Sequence, residues 1–243
     1  MLAPCSVARY VNLRKNLTIA GLFFIILVVS GGLVFPWLAR SAVQTRLGRN
    51  LSTRDVQVNM DSTPSALMML GRVDRLNAVI HQAKVGQICL KELTIDGRDI
   101  RLDIPGLIGG AGVPVQSAGS LTLKGFVDEE SLRDVIERKV DHVEHVQVHI
   151  TREKVLVTAD AKLAGRVADI AMEGQVAEEN GALYFLMTRL DLKNTRLGTA
   201  RLGDLFGNIQ LAAPNKMPLG LNVHSVVQTD GAIIITADRD NKE

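Results

Sequence analysis

The sequence predicts an α+β fold: an N-terminal transmembrane helix, then a strongly curved antiparallel sheet wrapped on one or two helices. Three observations carry this. No residue between Lys15 and Arg40 is charged. Most of the chain beyond alternates apolar and polar side chains with period two, the mark of half-buried strands. Stretches near residues 39–51 and 128–140 instead repeat their apolar positions at spacings of three and four.

Thr18 to Leu38 would rise about 31 Å as a helix, the thickness of a bilayer core. Trp37 stands at its outer end, where an indole favours the interface. Arg9, Arg14 and Lys15 before the run, and Arg40, Arg46, Arg49 and Arg54 after it, suit lipid headgroups. The rival is a cleaved signal peptide with Ile19 to Val29 as its apolar region. No A-x-A site follows, and the run continues through Leu33, Val34 and Phe35, which favours an uncleaved anchor. The flanks carry similar numbers of Lys and Arg, so orientation rests on the short N-terminal tail, which stays inside by default. The expected division is a tail at 1–17, a single-pass cell-membrane anchor at 18–38 and an extracytoplasmic domain at 39–243.

Ala39, Ala42, Val43, Leu47 and Leu51 form the apolar stripe of a helix leaving the bilayer. Val56, Val58 and Met60 then alternate as a strand, and Thr63-Pro64-Ser65 opens a short helical turn that stops at Gly71. Leu76, Ala78 and Ile80 predict a second strand. Ile88 to Ile95 predicts a third, with a turn at Asp96-Gly97 before Ile100, Leu102 and Ile104. Pro105 to Gly119 reads as the one long loop, a plain connection or a lid. After a strand at Leu121, Leu123 and Val127, Asp128 caps a helix with the stripe Leu132, Val135, Ile136 and Val140.

Val146 to Ile150, Val155 to Ala161 and Ala168 to Val176 continue as strands up to a turn at 178–181. In Ala182 to Leu192, Leu183, Phe185 and Met187 face one way and Tyr184, Leu186 and Leu190 the other, predicting a strand covered on both sides. Leu202 to Phe206 reads as another helical turn, and Leu221–Gln228 with Ala232–Ala237 as a closing hairpin across Asp230-Gly231.

Composition removes several functions. With 28 Lys+Arg against 26 Asp+Glu, net charge is +2, so there is no concentrated basic face for nucleic acid. The two cysteines, Cys5 and Cys89, flank the apolar run and give neither a disulfide framework nor a cysteine zinc site. The chain has no G-x-S-x-G, P-loop or dinucleotide fingerprint, so neither an enzyme nor a cofactor is expected. His142, His145 and His149 suggest a metal, but a strand holds the last two about 13 Å apart, and no metal site is expected. Glu129-Glu130 and Glu178-Glu179 suit a helix start and a turn. Met60, Met68, Met69, Met172, Met187 and Met217 all lie in apolar contexts, which fits either core packing or a lipid-lined cavity.

Three stretches resemble the bacterial LmeA-like phospholipid-binding family. They are Pro64 to Asp74 (PSALMMLGRVD), Phe126 to Leu132 (FVDEESL), and Met217 to Leu221 with Asp230 to Ile235. The resemblance covers roughly residues 40 to 240, and its Gly-rich loop matches no family feature. It implies an extracytoplasmic envelope protein that binds membrane phospholipid in an elongated apolar groove, with a tubular-lipid-binding-like fold and lipid transfer as a further role. The groove wall is expected from Leu67, Met68, Met69, Leu70, Leu132, Val135, Ile136, Leu183, Phe185 and Met187. The competing expectation is a non-enzymatic envelope scaffold with a closed core, whose exposed edge or loop recruits a protein partner.

Overall fold

The computed structural model describes residues 21–22, 36–110, 112–140, 143–163, 166–193, 208–213 and 217–239. The expected anchor at 18–38 lies outside these except for 21–22 and 36–38, and the expected helical turn at 202–206 lies wholly outside. Among the described residues no helix is long and apolar enough to cross a membrane.

Helix α1 (36–50) buries Ala39, Val43 and Leu47, with Leu51 just past its end, the face its spacing predicts. Arg40 donates to the Met60 carbonyl at 3.1 Å and Gln44 to that of Val56, so α1 lies along strand β1 (Val56–Asp61). After Pro64, Ser65–Leu70 winds as a 3-10 turn and stops at Gly71, as expected. Gly71 has φ +78°, and a Cβ there would lie 2.1 Å from the Leu102 carbonyl oxygen, so no other residue fits.

The next hairpin departs from expectation. Strand β2 (Arg72–Val85) pairs with a single strand β3 (Ile88–Leu102), and the chain turns at Gly86-Gln87 instead of Asp96-Gly97. Gly97 is an interior strand residue, because the space a Cβ would take is filled by Ile100 Cδ1 at 2.5 Å and Leu121 Cδ1 at 2.9 Å. Leu76, Ala78 and Ile80 point inward, and after Gln82 (φ 52°) the buried positions become Ala83 and Val85. In β3 the same change at Asp99 (φ 49°) separates buried Ile95 from buried Ile100 and Leu102. A residue at positive φ thus steps each strand by one while its apolar side chains stay on one face.

The stretch 105–119 is not an open loop. It holds helix α2 (Ile104–Gly109) and strand β4 (Val115–Ser117), with Leu107 and Val113 buried. The Asp103 N–H donates to the Pro114 carbonyl at 3.0 Å, and Arg239 donates to the carbonyls of Val115 and Gln116. A lid would need these bonds broken.

Strand β5 (Ser120–Asp128) leads into helix α3 (Glu129–Lys139). The second sheet follows as β6 (Val143–Ile150), β7 (Val155–Leu163), β8 (Arg166–Glu179), β9 (Ala182–Lys193) and β10 (Ile209–Ala212). The closing hairpin is β11 (Asn222–Thr229) and β12 (Ala232–Asp238). Among the described residues the first sheet runs β1-β2-β3-β5-β12-β11 with β4 beside β3, and the second β10-β9-β8-β7-β6. All pairings are antiparallel.

Strand β9 is covered on one side. At Thr188 the register with β8 slips by one residue, which brings Leu190 round to the core beside Met187. Tyr184 and Leu186 remain half-exposed on the outer side.

Helix α3 joins the sheets, touching β3 and β5 of the first and β6 and β10 of the second. Its Leu132, Val135 and Ile136 are fully buried, worth about 1.5–3 kcal/mol each. The Asp128 carboxylate caps it, accepting the Ser131 N–H at 2.9 Å. Burial opposes ionisation of Asp128, but the bonds from Ser131 and the nearby Lys91 outweigh it and hold its pKa below the usual range. We predict that Asp128→Ala lowers stability by about 1 kcal/mol at neutral pH in chemical denaturation. A depressed carboxylate pKa stabilises the fold above the unfolded value and loses that effect as pH falls through the folded one. The gap between wild type and variant should therefore narrow below about pH 4.

Candidate functional site

The buried side chains form one continuous apolar cluster, from Val43 and Leu47 of α1 through both sheets to Phe185 and Leu211. Among the described residues no polar or charged residue is buried in it. It is aliphatic, with Phe185 the largest fully buried side chain. A surface of this kind can solvate hydrocarbon and little else.

The expected groove wall divides in two. Met68, Leu132, Val135, Ile136, Leu183 and Phe185 all lie in the cluster, and Met187 packs against it. Leu67 is half-buried, while Met69 and Leu70 point outward, 42% and 81% exposed. The 3-10 turn thus sends Met68 inward and the next two residues outward.

The interior is closely filled at several places. A Cβ at Gly125 would lie 3.0 Å from Leu90 Cδ1, and one at Gly174 would lie 2.6 Å from Phe185 Cζ. Glycine lets a neighbouring aliphatic or aromatic side chain lie directly on the strand backbone there.

Among the described residues, clefts open on the first sheet. One of about 740 Å³ is polar, lined by Asp74, Arg75, Asn77, Asp96, Arg98 and Asp99 among others. Another of about 530 Å³ places Phe126 and Val127 beside His81, Lys91, Glu92 and Asp128. Several of the polar side chains there are paired: His81 sits 3.1 Å from Asp55, Lys91 4.0 Å from Asp128, and Asn77 donates to Asp96 at 2.7 Å. Burial, and after it the Asp128 carboxylate, push the Cys89 thiol pKa up, which keeps it protonated and poorly nucleophilic. His145 pairs with Asp160 at 2.9 Å and His149 with Glu129 at 3.1 Å on separate parts of the surface, and His142 lies outside the described residues. Among the described residues no group of His, Cys, Asp and Glu converges as a metal site.

A family model described as LmeA-like phospholipid-binding matches residues 31–238. The chain belongs to that family. No curated protein and no solved structure matches it. Membership in the LmeA-like family supports lipid binding, and the apolar interior is the part of this chain whose chemistry suits acyl chains.

Sequence reasoning missed a set of arginines. In the observed register Arg72 stands opposite Arg101 and Arg75 opposite Arg98, all four exposed. The signal was available: a turn at Gly86-Gln87 puts these residues opposite each other, whereas one at Asp96-Gly97 hides the relation.

The burial pattern separates positions that tolerate charge from those that do not. Phe185→Asp should unfold the domain, since an unpaired charge in an apolar core costs several kcal/mol. Met69→Asp and Leu70→Asp should melt within a few degrees of wild type, roughly the ±0.5 kcal/mol of a surface change. Thermal denaturation followed by circular dichroism reads both.

Proposed function

We propose that the chain is a membrane-anchored, extracytoplasmic phospholipid-binding protein of the bacterial envelope, with lipid transfer as a further role and no catalytic step. The observation that carries this reading is the family match over residues 31–238, coupled to an interior with no buried polar side chain among the described residues. Acyl chains bind by leaving water for such a surface, at about 0.8 kcal/mol per buried methylene. Lining it with Leu, Ile, Val and Met costs nothing in unsatisfied hydrogen bonds. In this reading residues 18–38 supply the anchor and the domain lies outside the cytoplasm. The groove wall in this reading is Leu67, Met68, Leu132, Val135, Ile136, Leu183, Phe185 and Met187.

One observation favours the scaffold reading. The close fit at Gly97, Gly125 and Gly174 is what a closed core would also show. Native mass spectrometry of the full chain released from detergent, with organic extraction of bound material, separates the two. Lipid binding predicts stoichiometric phospholipid that survives removal of excess micelle. A clean apo mass, unchanged after incubation with liposomes, would establish the closed scaffold instead.

A further inference from the structure

One end of the first sheet gathers exposed apolar side chains that the fold does not need. On the 3-10 turn Met69 and Leu70 are 42% and 81% exposed, and at the start of α1 Trp37 and Leu38 are 67% and 49% exposed. Arg40, one turn into α1, donates to Met60 near the end of β1, and the 3-10 turn begins at Ser65. Both apolar pairs therefore belong to the same end of the molecule. The uncharged run that begins after Lys15 leads straight into Trp37.

Behind the turn lies the arginine ladder. Arg72 and Arg101 are nearest to it, and Arg75 and Arg98 follow on the same outer face. Like charges directly opposite one another on adjacent strands destabilise a sheet, unless an anion lies between them. The acids nearby do not remove the problem. Asp74 sits 3.8 Å from Arg72 but also accepts the Thr63 N–H at 2.7 Å, and Asp96 accepts from Asn77. Asp61 stands opposite Arg75 in β1, and Asp99 adjoins Arg98, but among the described residues Arg75, Arg98 and Arg101 form no ion pair. Planar guanidinium groups with free donors suit phosphate oxygens.

We propose that this end of the domain docks on the surface of a phospholipid bilayer, with Leu70 and Met69 inserted among the acyl chains and the arginine pairs at the lipid phosphates. Insertion of such side chains reaches about 5–10 Å into the headgroup boundary, and the basic residues add salt-sensitive attraction. The inference deepens the lipid-binding reading and rests on it, because Met68 on the same turn faces the interior. A docked turn would place a single turn of chain between bilayer and core.

The test uses the full chain reconstituted into vesicles of phosphatidylcholine and phosphatidylglycerol with brominated acyl chains. The chain has one tryptophan, so Trp37→Phe provides a silent background. Leu70→Trp and, separately, Met69→Trp then report depth, with Val227→Trp, an exposed apolar position toward the other end of the first sheet, as the control. Docking predicts quenching at 69 and 70 at least about twofold stronger than at 227, weakened by salt and by the double variant Arg72→Gln, Arg101→Gln. Emission at 69 and 70 as unquenched as at 227 overturns the proposal, since the N-terminal anchor tethers every variant equally. Phospholipid extracted from the same chain reads the underlying lipid-binding claim separately. Bound lipid without quenching sinks docking alone, and quenching without bound lipid supports docking while sinking the interior site.

Discussion

Helix α3 is the element on which both sheets depend. Its Leu132, Val135 and Ile136 are fully buried between strands of the first sheet and strands of the second. At one end the Asp128 cap fixes its start where β5 stops, and at the other Arg138 donates to the Gln87 carbonyl in the β2–β3 turn. The Gln87 N–H in turn donates to Leu211 of β10, and the Gly231 N–H of the closing hairpin to Ile150 of β6. Strand β11 of the first sheet also packs on β8 of the second, so the helix stripe, this contact and these hydrogen bonds together align two sheets that share no strand. An apolar seam of this kind, made by side-chain packing with no shared strand, is also the one most easily widened without breaking a sheet ladder, as a hydrocarbon guest would require.

The elements with strong local signals were legible from sequence. The α1 stripe, the cap at Asp128, the stop at Gly71 and the closing hairpin at Asp230-Gly231 each follow from side chains a few residues apart, and each is present. Long-range packing was the part that local chemistry could not reveal. Asp96-Gly97 has the composition of a turn, yet Gly97 is needed inside a strand because Ile100 and Leu121 occupy its side-chain space. Leu190 alternates onto the outer face only until the slip at Thr188 turns it inward. The two errors differ in cause: Gly97 has turn composition but strand packing, while Leu190 follows a shift of register. Period two holds while the register holds, and a bulge resets it with no mark in composition.

The candidate site was legible in kind more than in place. Aliphatic residues and methionines of the expected wall do meet in one interior, since the alternation that predicts strands also predicts which face they bury. The adjacent residues of the 3-10 turn could not be sorted that way. Three residues per turn give Met68, Met69 and Leu70 three different directions, and only Met68 enters the core. The arginine ladder depends on a pairing that the alternation of β2 and β3 does not specify until the turn between them is located, because register is a non-local property.

The central claim is that acyl chains lie in the interior between the two sheets. A phospholipid carrying a photoreactive diazirine near the end of one acyl chain, loaded onto the full chain and cross-linked, tests it directly once the modified peptides are sequenced. The account predicts adducts on α3 and β9, at Leu132, Ile136, Leu183 or Phe185, which water-soluble reagents cannot reach. Adducts confined to exposed positions such as Val167 and Val227, with α3 and β9 unmodified at those residues, would contradict it.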